Sequence, residues 1–365
     1  MRNREFIPQM QPSFGLEEKQ ALMEYMDEGG FLTEFKKTQE FEMMLASFTG
    51  AKHCIVVNNG TVSLTMAAIA AGVNAGDDVI VPNYTMIATP NSIKMIGANP
   101  IFVDVEPDTL CMDLDQVRNA ITPQTKAIIF VSANGRFPSK HISSFVDFSR
   151  ELGISLIEDA AQSLGSYYQD GKHIGRAGDV GSFSFSAPKI ISTGQGGALI
   201  TDDDEMAFKL RRLKDFGRAS GGNDTHDSVG YNFKFTDLQA CVGIEQMKKL
   251  PVRILRKKEI WKRYQDLLDD VREVQLFKHD LQFTTPWFID ARVKMRDELS
   301  EYLKKVGVGT RKMYPPINKQ LAYLIDGNFP ISNEVGLNGI WFPSEINLTD
   351  SEIDMVCEAI RKFYK

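Results

Sequence analysis

The sequence predicts an α/β protein whose centre is a mostly parallel β-sheet packed between helices. Between residues 54 and 201 short β-rich runs alternate with helical patterns, the rhythm of strands joined by crossover helices. Most of those runs are continuously apolar, as strands covered on both faces must be. Length and composition agree: 365 residues, at roughly 150 per domain, predict about two domains, and 43% apolar with 25% charged residues is a globular balance that argues against disorder or coiled coil.

The strand runs are CIVVNN (54–59), DVIVPN (78–83), PIFVDV (100–105), AIIFVSA (127–133), SLIEDA (155–160), SFSFSAP (182–188) and GALIT (197–201). Helices fall between them, among them Thr61 to Ala71, rich in small residues, and Ser144 to Leu152, with Gly153 as its stop. Thr236 and Gln239 have the spacing of a capping box and open a helix expected to run toward Leu250 and to end at Pro251. Beyond it come a charged helix with Trp261 and Tyr264, a less regular stretch, and a helix with Met295, Leu299, Leu303 and Val306 on one face, closed by Gly307. A second capping box, Thr349 and Glu352, opens a terminal helix with Ile353, Val356, Cys357 and Ile360 on one stripe. The expected division is a larger domain over residues 1–250 and a smaller α/β domain over 251–365, packed firmly together with no flexible linker.

Several functions are disfavoured. Forty-two basic and 48 acidic residues leave a net charge of −6, and no Lys/Arg tract could neutralise a run of phosphates, so nucleic acid is not an expected partner. Cys54, Cys111, Cys241 and Cys357 are scattered and no His stands at ligand spacing, which predicts buried apolar cysteines, no metal site and no disulfide framework. The five histidines read as surface or satisfied core positions, with His226 in the polar loop GGNDTHDS. No run approaches the roughly 18 apolar residues that span a bilayer, and the amino terminus lacks a signal core; the expected location is the cytoplasm.

Three segments carry chemistry. Asn58-Asn59-Gly60-Thr61 stands where a strand gives way to a helix, and unpaired N–H groups at a helix amino terminus attract phosphate. Asparagine and glycine also make ordinary turns and caps, but the segment is neither G-x-G-x-x-G nor a Walker sequence, which disfavours dinucleotide and P-loop enzymes. Glu158-Asp159-Ala160-Ala161-Gln162 ends a strand at the edge where open α/β sheets bind ligands. An acid there can hold a protonated ring nitrogen and Gln162 a ring oxygen, although a solvated loop or cap would read the same. Ser182 to Lys189 alternates serine with Phe183 and Phe185, so a polar stripe faces a site while the phenylalanines fill the core. Lys189 follows, near the glycine-rich reversal Gly194 to Gly197; alone it would be an ordinary surface lysine. Together a phosphate cradle, an acid for a ring nitrogen and an imine-forming lysine point to pyridoxal phosphate.

These residues resemble the sugar-nucleotide aminotransferases of fold type I, the DegT/DnrJ/EryC1/StrS family. NNGTVSLTMA, GDDVIVPN, EDAAQSLGS, FSFSAPKIISTGQGGALIT, GYNFKFTDLQACVGIEQM and RKMYPPIN fall in the family's order and spacing over nearly the whole chain. The resemblance is greatest to the branch that aminates 4-keto-6-deoxy nucleotide sugars. It implies a seven-stranded sheet between helices with a smaller C-terminal α/β domain. It makes Lys189 the cofactor lysine and proton carrier and Asp159 the partner of the ring nitrogen. Asn59, Gly60, Thr61 and Ser184 would sit at the cofactor phosphate, Gln162 at the ring hydroxyl and Met86 at the ring face. Asn232 would reach the phosphate in the neighbouring subunit, which implies a homodimer with shared sites. The implied reaction is a two-stage transfer of an amino group from L-glutamate to a keto sugar nucleotide, with pyridoxamine phosphate between the stages, in a pathway such as polysaccharide biosynthesis.

The chain departs from the family at four positions expected near the substrate. Met86 stands where an aromatic residue is common, with Tyr84 two positions earlier; Ser132 replaces a histidine, Lys234 an arginine and Asn318 another histidine. Two competing readings remain. One is a keto-sugar dehydratase of the same family, against which Lys189 argues because the deoxysugar branch has histidine there. The other is a non-enzymatic regulator that binds the cofactor, which no basic patch supports. Arg211, Arg212 and Arg218 read as a solvated helix face or as nucleotide contacts, and the loop at 221–228 as a substrate cover or as a loop with no role.

Overall fold

The computed structural model describes residues 5–218 and 224–365. Seven strands form the central sheet: β1 (His53–Val57), β2 (Asp78–Pro82), β3 (Asn99–Val103), β4 (Thr125–Val131), β5 (Ser155–Asp159), β6 (Val180–Ser184) and β7 (Gly197–Thr201). Their spatial order is β1-β7-β6-β5-β4-β2-β3. Only β7 runs against its neighbours, pairing antiparallel with β1 and β6 while the other pairs are parallel. Each predicted run is a strand of this sheet.

Successive side chains of a strand leave on opposite faces, and here both faces are dry. Ile55, Val57, Val79, Val81, Ile129 and Leu199 pack on one side with the helices Gly60–Ala70 and Asp204–Lys214. Cys54, Val56, Ile80, Ile128, Phe130 and Ile200 pack on the other with Phe41, Leu45, Phe145, Ala240 and Leu250 from three more helices. All four cysteines are buried and unpaired, as expected.

A second, antiparallel sheet consists of β8 (Val274–Leu276), β9 (Ile289–Val293), β10 (Arg311–Lys312) and β11 (Gly339–Phe342), in the order β10-β11-β9-β8. Its core draws on the helices Arg296–Lys305 and Asp350–Phe363. The chain's beginning joins it: Ile7 donates to the carbonyl of Gly307 and accepts from Gly309, both at 2.8 Å.

One expected boundary is not observed. The helix opened by Thr236 does not stop at Pro251 but runs unbroken from Asp237 to Leu268. A proline inside a helix forfeits one hydrogen bond and crowds the preceding turn, at a cost of about 3 kcal/mol. Burial offsets that cost from both sides, because Met247 and Leu250 sit in the large core while Ile260, Trp261, Tyr264 and Leu268 sit in the small one. The sequence rule reads the proline alone; the tertiary packing pins the helix on either side of it. Among the described residues no helix is long and apolar enough to cross a membrane.

At the start of this helix Asp237 is fully buried and gathers five donors. Tyr25 Oη donates at 2.8 Å, the N–H groups of Phe35, Lys37 and Thr38 at 2.8, 3.0 and 2.9 Å, and Thr38 Oγ1 at 2.6 Å. Asp237 thus caps the helix Lys36–Thr49 from a distant part of the chain. Burial alone would raise its carboxyl, but the donors from Thr38 and Lys37 outweigh burial and hold it below the usual range. In that state it binds fewer protons than the unfolded chain, so its stabilisation is full at neutral pH and is lost as the pH falls through the lowered value. Asp237→Ala is expected to destabilise the fold by about 3 kcal/mol, the cost of leaving several buried donors unmet, as measured by urea unfolding at pH 7. The difference from wild type shrinks in acid.

Candidate active site

The parallel strands end at one edge, and the turns leaving that edge line a cavity of about 290 Å³. The turn after β1 contributes Asn59, Gly60 and Thr61, and the turn after β2 contributes Thr85, Met86 and Thr89. Asp159, Ala161 and Gln162 come from the end of β5, and Ser184, Ser186 and Lys189 from the end of β6. Trp287, Arg311 and Tyr314, from the C-terminal part of the chain, close the cavity.

The cradle follows from the way its helix begins. Asn59 caps it, Oδ1 accepting from Val62 N at 2.9 Å and the main-chain oxygen from Ser63 N at 3.1 Å. Among the described residues nothing accepts from the N–H groups of Gly60 and Thr61, so the positive helix end faces the cavity with two donors to spare. Glycine at position 60 is a packing requirement: a Cβ would lie 2.9 Å from Ser184 Cβ. Ser184 and Ser186 face the cavity, and Phe183 and Phe185 the core, as the alternation predicts. Ser182 does not join the polar stripe at the cavity; its Oγ pairs with Ser63 Oγ at 2.5 Å beneath the helix.

The same alternation separates the two acids of β5. Glu158 turns away and accepts from Tyr168 Oη and the N–H groups of Gly175, Ala177 and Gly178, at 2.5, 2.9, 2.5 and 2.7 Å. It holds a loop. Asp159 faces the cavity, only 6% exposed, and accepts from Thr89 Oγ1 at 2.8 Å and Ala161 N at 3.2 Å. Burial pushes its carboxyl up, and Thr89, Ala161 and nearby Lys189 only partly oppose that. A buried acid with a raised pKa wants a cation, and the protonated nitrogen of a pyridine ring would supply one. Gln162 has its amide oxygen fixed by Asn134 N at 2.6 Å, which leaves its NH₂ as a donor for a ring oxygen.

Lys189 closes this set. Its N–H donates to Ser186 O at 3.0 Å, and its Nζ lies 4.2 Å from the centre of the Trp287 ring. Burial lowers its ammonium to about 8, opposed by Asp159 and aided by Arg311. Near neutrality an appreciable fraction is therefore a free amine, the nucleophilic form.

The other candidates lie elsewhere. Met86 is on the cavity wall and 44% exposed, whereas Tyr84 is buried among aromatic residues, its ring 6.1 Å from that of Tyr314. Ser132 is buried off the cavity wall, and Asn318 is paired with Asn83 through two hydrogen bonds of 2.9 Å. Lys234 is bound to Asp215 at 2.8 Å. Asn232 is exposed and does not line its own chain's cavity. Arg211, Arg212 and Arg218 engage Glu42, Asp227 and Asp215 respectively; Glu42 is buried and Arg212 and Arg218 are only partly exposed, so these arginines are tied into ion pairs instead of forming a freely solvated face. Part of the loop at 221–228, residues 221–223, lies outside the described residues; His226 Nδ1 donates to the main-chain oxygen of Phe216 at 2.9 Å. Sequence reasoning assigned no role to Trp287, Arg311 or Tyr314, although the last two fall in the RKMYPPIN segment.

A half-buried amine, an acid in need of a cation and a helix end with two N–H donors to spare define a class, the α/β enzymes that use pyridoxal phosphate. The relatives agree. The DegT/DnrJ/EryC1/StrS aminotransferase family model matches residues 13–361, and the chain belongs to that family. It is similar to the GDP-perosamine synthase of Escherichia coli O157:H7, 33% identical over 98% of this chain and 99% of the relative. It is also similar to the spore coat polysaccharide biosynthesis protein SpsC of Bacillus subtilis, 31% identical over 100% and 98% of the two chains. Among solved structures, Spr1654 from Streptococcus pneumoniae in its PMP form superimposes with a TM-score of 0.91 at 26% identity, covering 98% of this chain and 97% of that one. The protein is thus an aminotransferase with pyridoxal phosphate as its cofactor.

Mixed with pyridoxal phosphate, the cofactor-free protein is expected to form its absorbance band at a rate that rises with pH around a midpoint of about 8, the lowered value of Lys189, instead of the ordinary 10.5. A midpoint near the ordinary value would contradict the buried placement. Gly60→Ala is expected to weaken cofactor binding about tenfold, because the new methyl pushes the helix end off Ser184. Equilibrium titration with the cofactor reads this directly.

Proposed function

We propose that this chain transfers an amino group from L-glutamate to a keto sugar nucleotide, a 4-keto-6-deoxyhexose on a nucleoside diphosphate, and releases the amino sugar. The observation that carries this reading is Lys189 and Asp159 facing one cavity beside a helix amino terminus. The similarity to a GDP-perosamine synthase supports the acceptor class.

In this reading Asn59, Gly60, Thr61 and Ser184 hold the cofactor phosphate, Gln162 its ring hydroxyl, Asp159 its ring nitrogen, and Met86 lies along the ring face. Bound there, pyridoxal phosphate supplies an electron sink that acidifies the carbon bearing the donor's nitrogen. The protein supplies the proton transfers. Nζ of Lys189, as a free amine, takes the proton from the donor's α-carbon in the first stage, and the reverse transfer serves the acceptor in the second. Asp159, kept ionised by the ring cation, holds the ring nitrogen protonated while charge develops. Trp287, Arg311 and Tyr314 wall off water on the substrate side, and Arg311 offers both anionic substrates a positive charge.

The assembly is part of the proposal: a cytoplasmic homodimer in which Asn232 reaches the phosphate site of the partner. Its support is a run of exposed apolar side chains near the beginning of the chain, Phe14, Leu16, Met23, Met26 and Phe31, and two more, Val229 and Tyr231, beside Asn232 in sequence. The division into a large unit (1–250) and a small unit (251–365) belongs here too, with its junction inside the helix Asp237–Leu268.

Two experiments test these statements. L-glutamate is expected to convert the absorbance band of the wild-type holoenzyme to that of pyridoxamine phosphate, and Lys189→Ala to abolish the conversion; a Lys189→Ala protein that turns over normally would refute the mechanism. Lys189→Ala and Asn232→Ala proteins, each inactive alone, should regain activity when unfolded, mixed and refolded together. A mixture that stays inactive, or a monomer by sedimentation, would refute the shared site.

A further inference from the structure

Behind the loop that carries Lys189 lies a buried lysine for which amino transfer has no use. Lys257, on the long helix, is 6% exposed, and its Nζ donates to the main-chain oxygens of Trp287 at 2.6 Å and Ser344 at 2.5 Å. Burial, with a smaller effect of nearby Arg253, pushes its ammonium down to about 7. An apolar side chain of similar length would avoid that penalty, so the contacts that Lys257 makes have to explain its presence.

Those contacts lead to Lys189. Trp287 grips the loop at two points: its Nε1–H donates to the carbonyl of Pro188 at 2.7 Å, and its ring lies 4.2 Å below Lys189 Nζ. The indole is itself stacked on Phe288 at 3.8 Å between ring centres. One turn earlier on the helix, Arg253 donates to the carbonyl of Ile190 at 2.8 Å, just past Lys189. The long helix therefore holds the carbonyls on both sides of Lys189, one directly and one through Trp287.

We propose that Lys257 is a positioning residue for Lys189: through the Trp287 carbonyl it sets the indole so that its N–H fixes the Pro188 carbonyl and its face supports the Lys189 ammonium. The inference rests on Lys189 being the cofactor lysine, as proposed above. An ammonium over an indole face is stabilised relative to the amine, so a loosened Trp287 lowers the proton affinity of Lys189 and widens the range of positions its nitrogen visits. Other titratable or charged groups around Lys189 are Asp159, Arg311 and Tyr314 on the cavity side and Arg253 and Glu345 behind the loop. None of these changes in the variants below.

The test is the capture of pyridoxal phosphate by cofactor-free protein, in which Lys189 Nζ bonds to the aldehyde carbon and the aldehyde oxygen leaves as water. Stopped-flow absorbance across pH gives a limiting rate and a midpoint for wild type, Lys257→Met, Lys257→Arg, Trp287→Ala and the Lys257→Met/Trp287→Ala double variant. Lys257→Met should lower the limiting rate about tenfold and move the midpoint down by about half a pH unit. Lys257→Arg, which keeps the donors, should recover most of the rate, and the double variant should be no slower than Trp287→Ala. A Lys257→Met protein with the wild-type rate and midpoint overturns the inference, as does a double variant slower than Trp287→Ala by the full single-variant factor. Should Lys257→Met not fold, Trp287→Phe decides, because it keeps an aromatic ring while removing the N–H together with the indole's five-membered ring; an unchanged limiting rate overturns the inference. If wild type itself forms no bond at Lys189, the proposed function falls first.

Discussion

The cavity depends on two charged groups kept partly out of water without a close ion partner between them. Asp159 is raised by burial and Lys189 is lowered by it. The cavity that holds them is lined on one side by Trp287, Arg311 and Tyr314, which arrive from the second part of the chain. The penalty is also the reactivity: the acid is left in need of a cation, and the amine is available near neutral pH. In the reading proposed for the site, a cofactor with a ring nitrogen and an aldehyde would satisfy both at once.

The surrounding structure can be read as the means of holding those groups still. Asp159 ends a strand in mid-sheet and Thr89 holds its carboxylate from the turn after β2. The Lys189 loop is held from below by Arg253, on the helix that spans both cores, and by Trp287. The long helix is therefore more than a connector. It passes through the position where its proline should have stopped it, and its second half carries Lys257.

The departures from the family divide by place. Met86 is on the cavity wall, while Ser132, Lys234 and Asn318 are buried or bonded away from it in this chain. Asn318 shows how: its two bonds with Asn83 tie the segment after β10 to the end of β2, a linkage that a histidine of different shape would not make in the same way. Asp237 is a further case of a distant tie, one side chain closing the start of a helix whose Lys37 lies 200 residues away in sequence.

By itself the sequence determined the strands, most of the helices and the segments that meet at the site, because local signals suffice for each. Continuous apolar runs mark strands buried on both faces, capping residues mark helix starts, and period-two alternation sends Phe183 to the core and Ser184 to the cavity. The same alternation sets Asp159 and Glu158 on opposite faces, but only the folded chain reveals which face carries the cavity. It also took the tertiary structure to carry the helix through Pro251, to withdraw Ser182 beneath a helix, and to bring Trp287, Arg311, Tyr314 and Lys257 to Lys189. Those contacts join residues about 70 to 125 positions apart, and no local pattern encodes them; they exist because two hydrophobic cores share one helix, and burying both fixes where the second sheet meets the edge of the first.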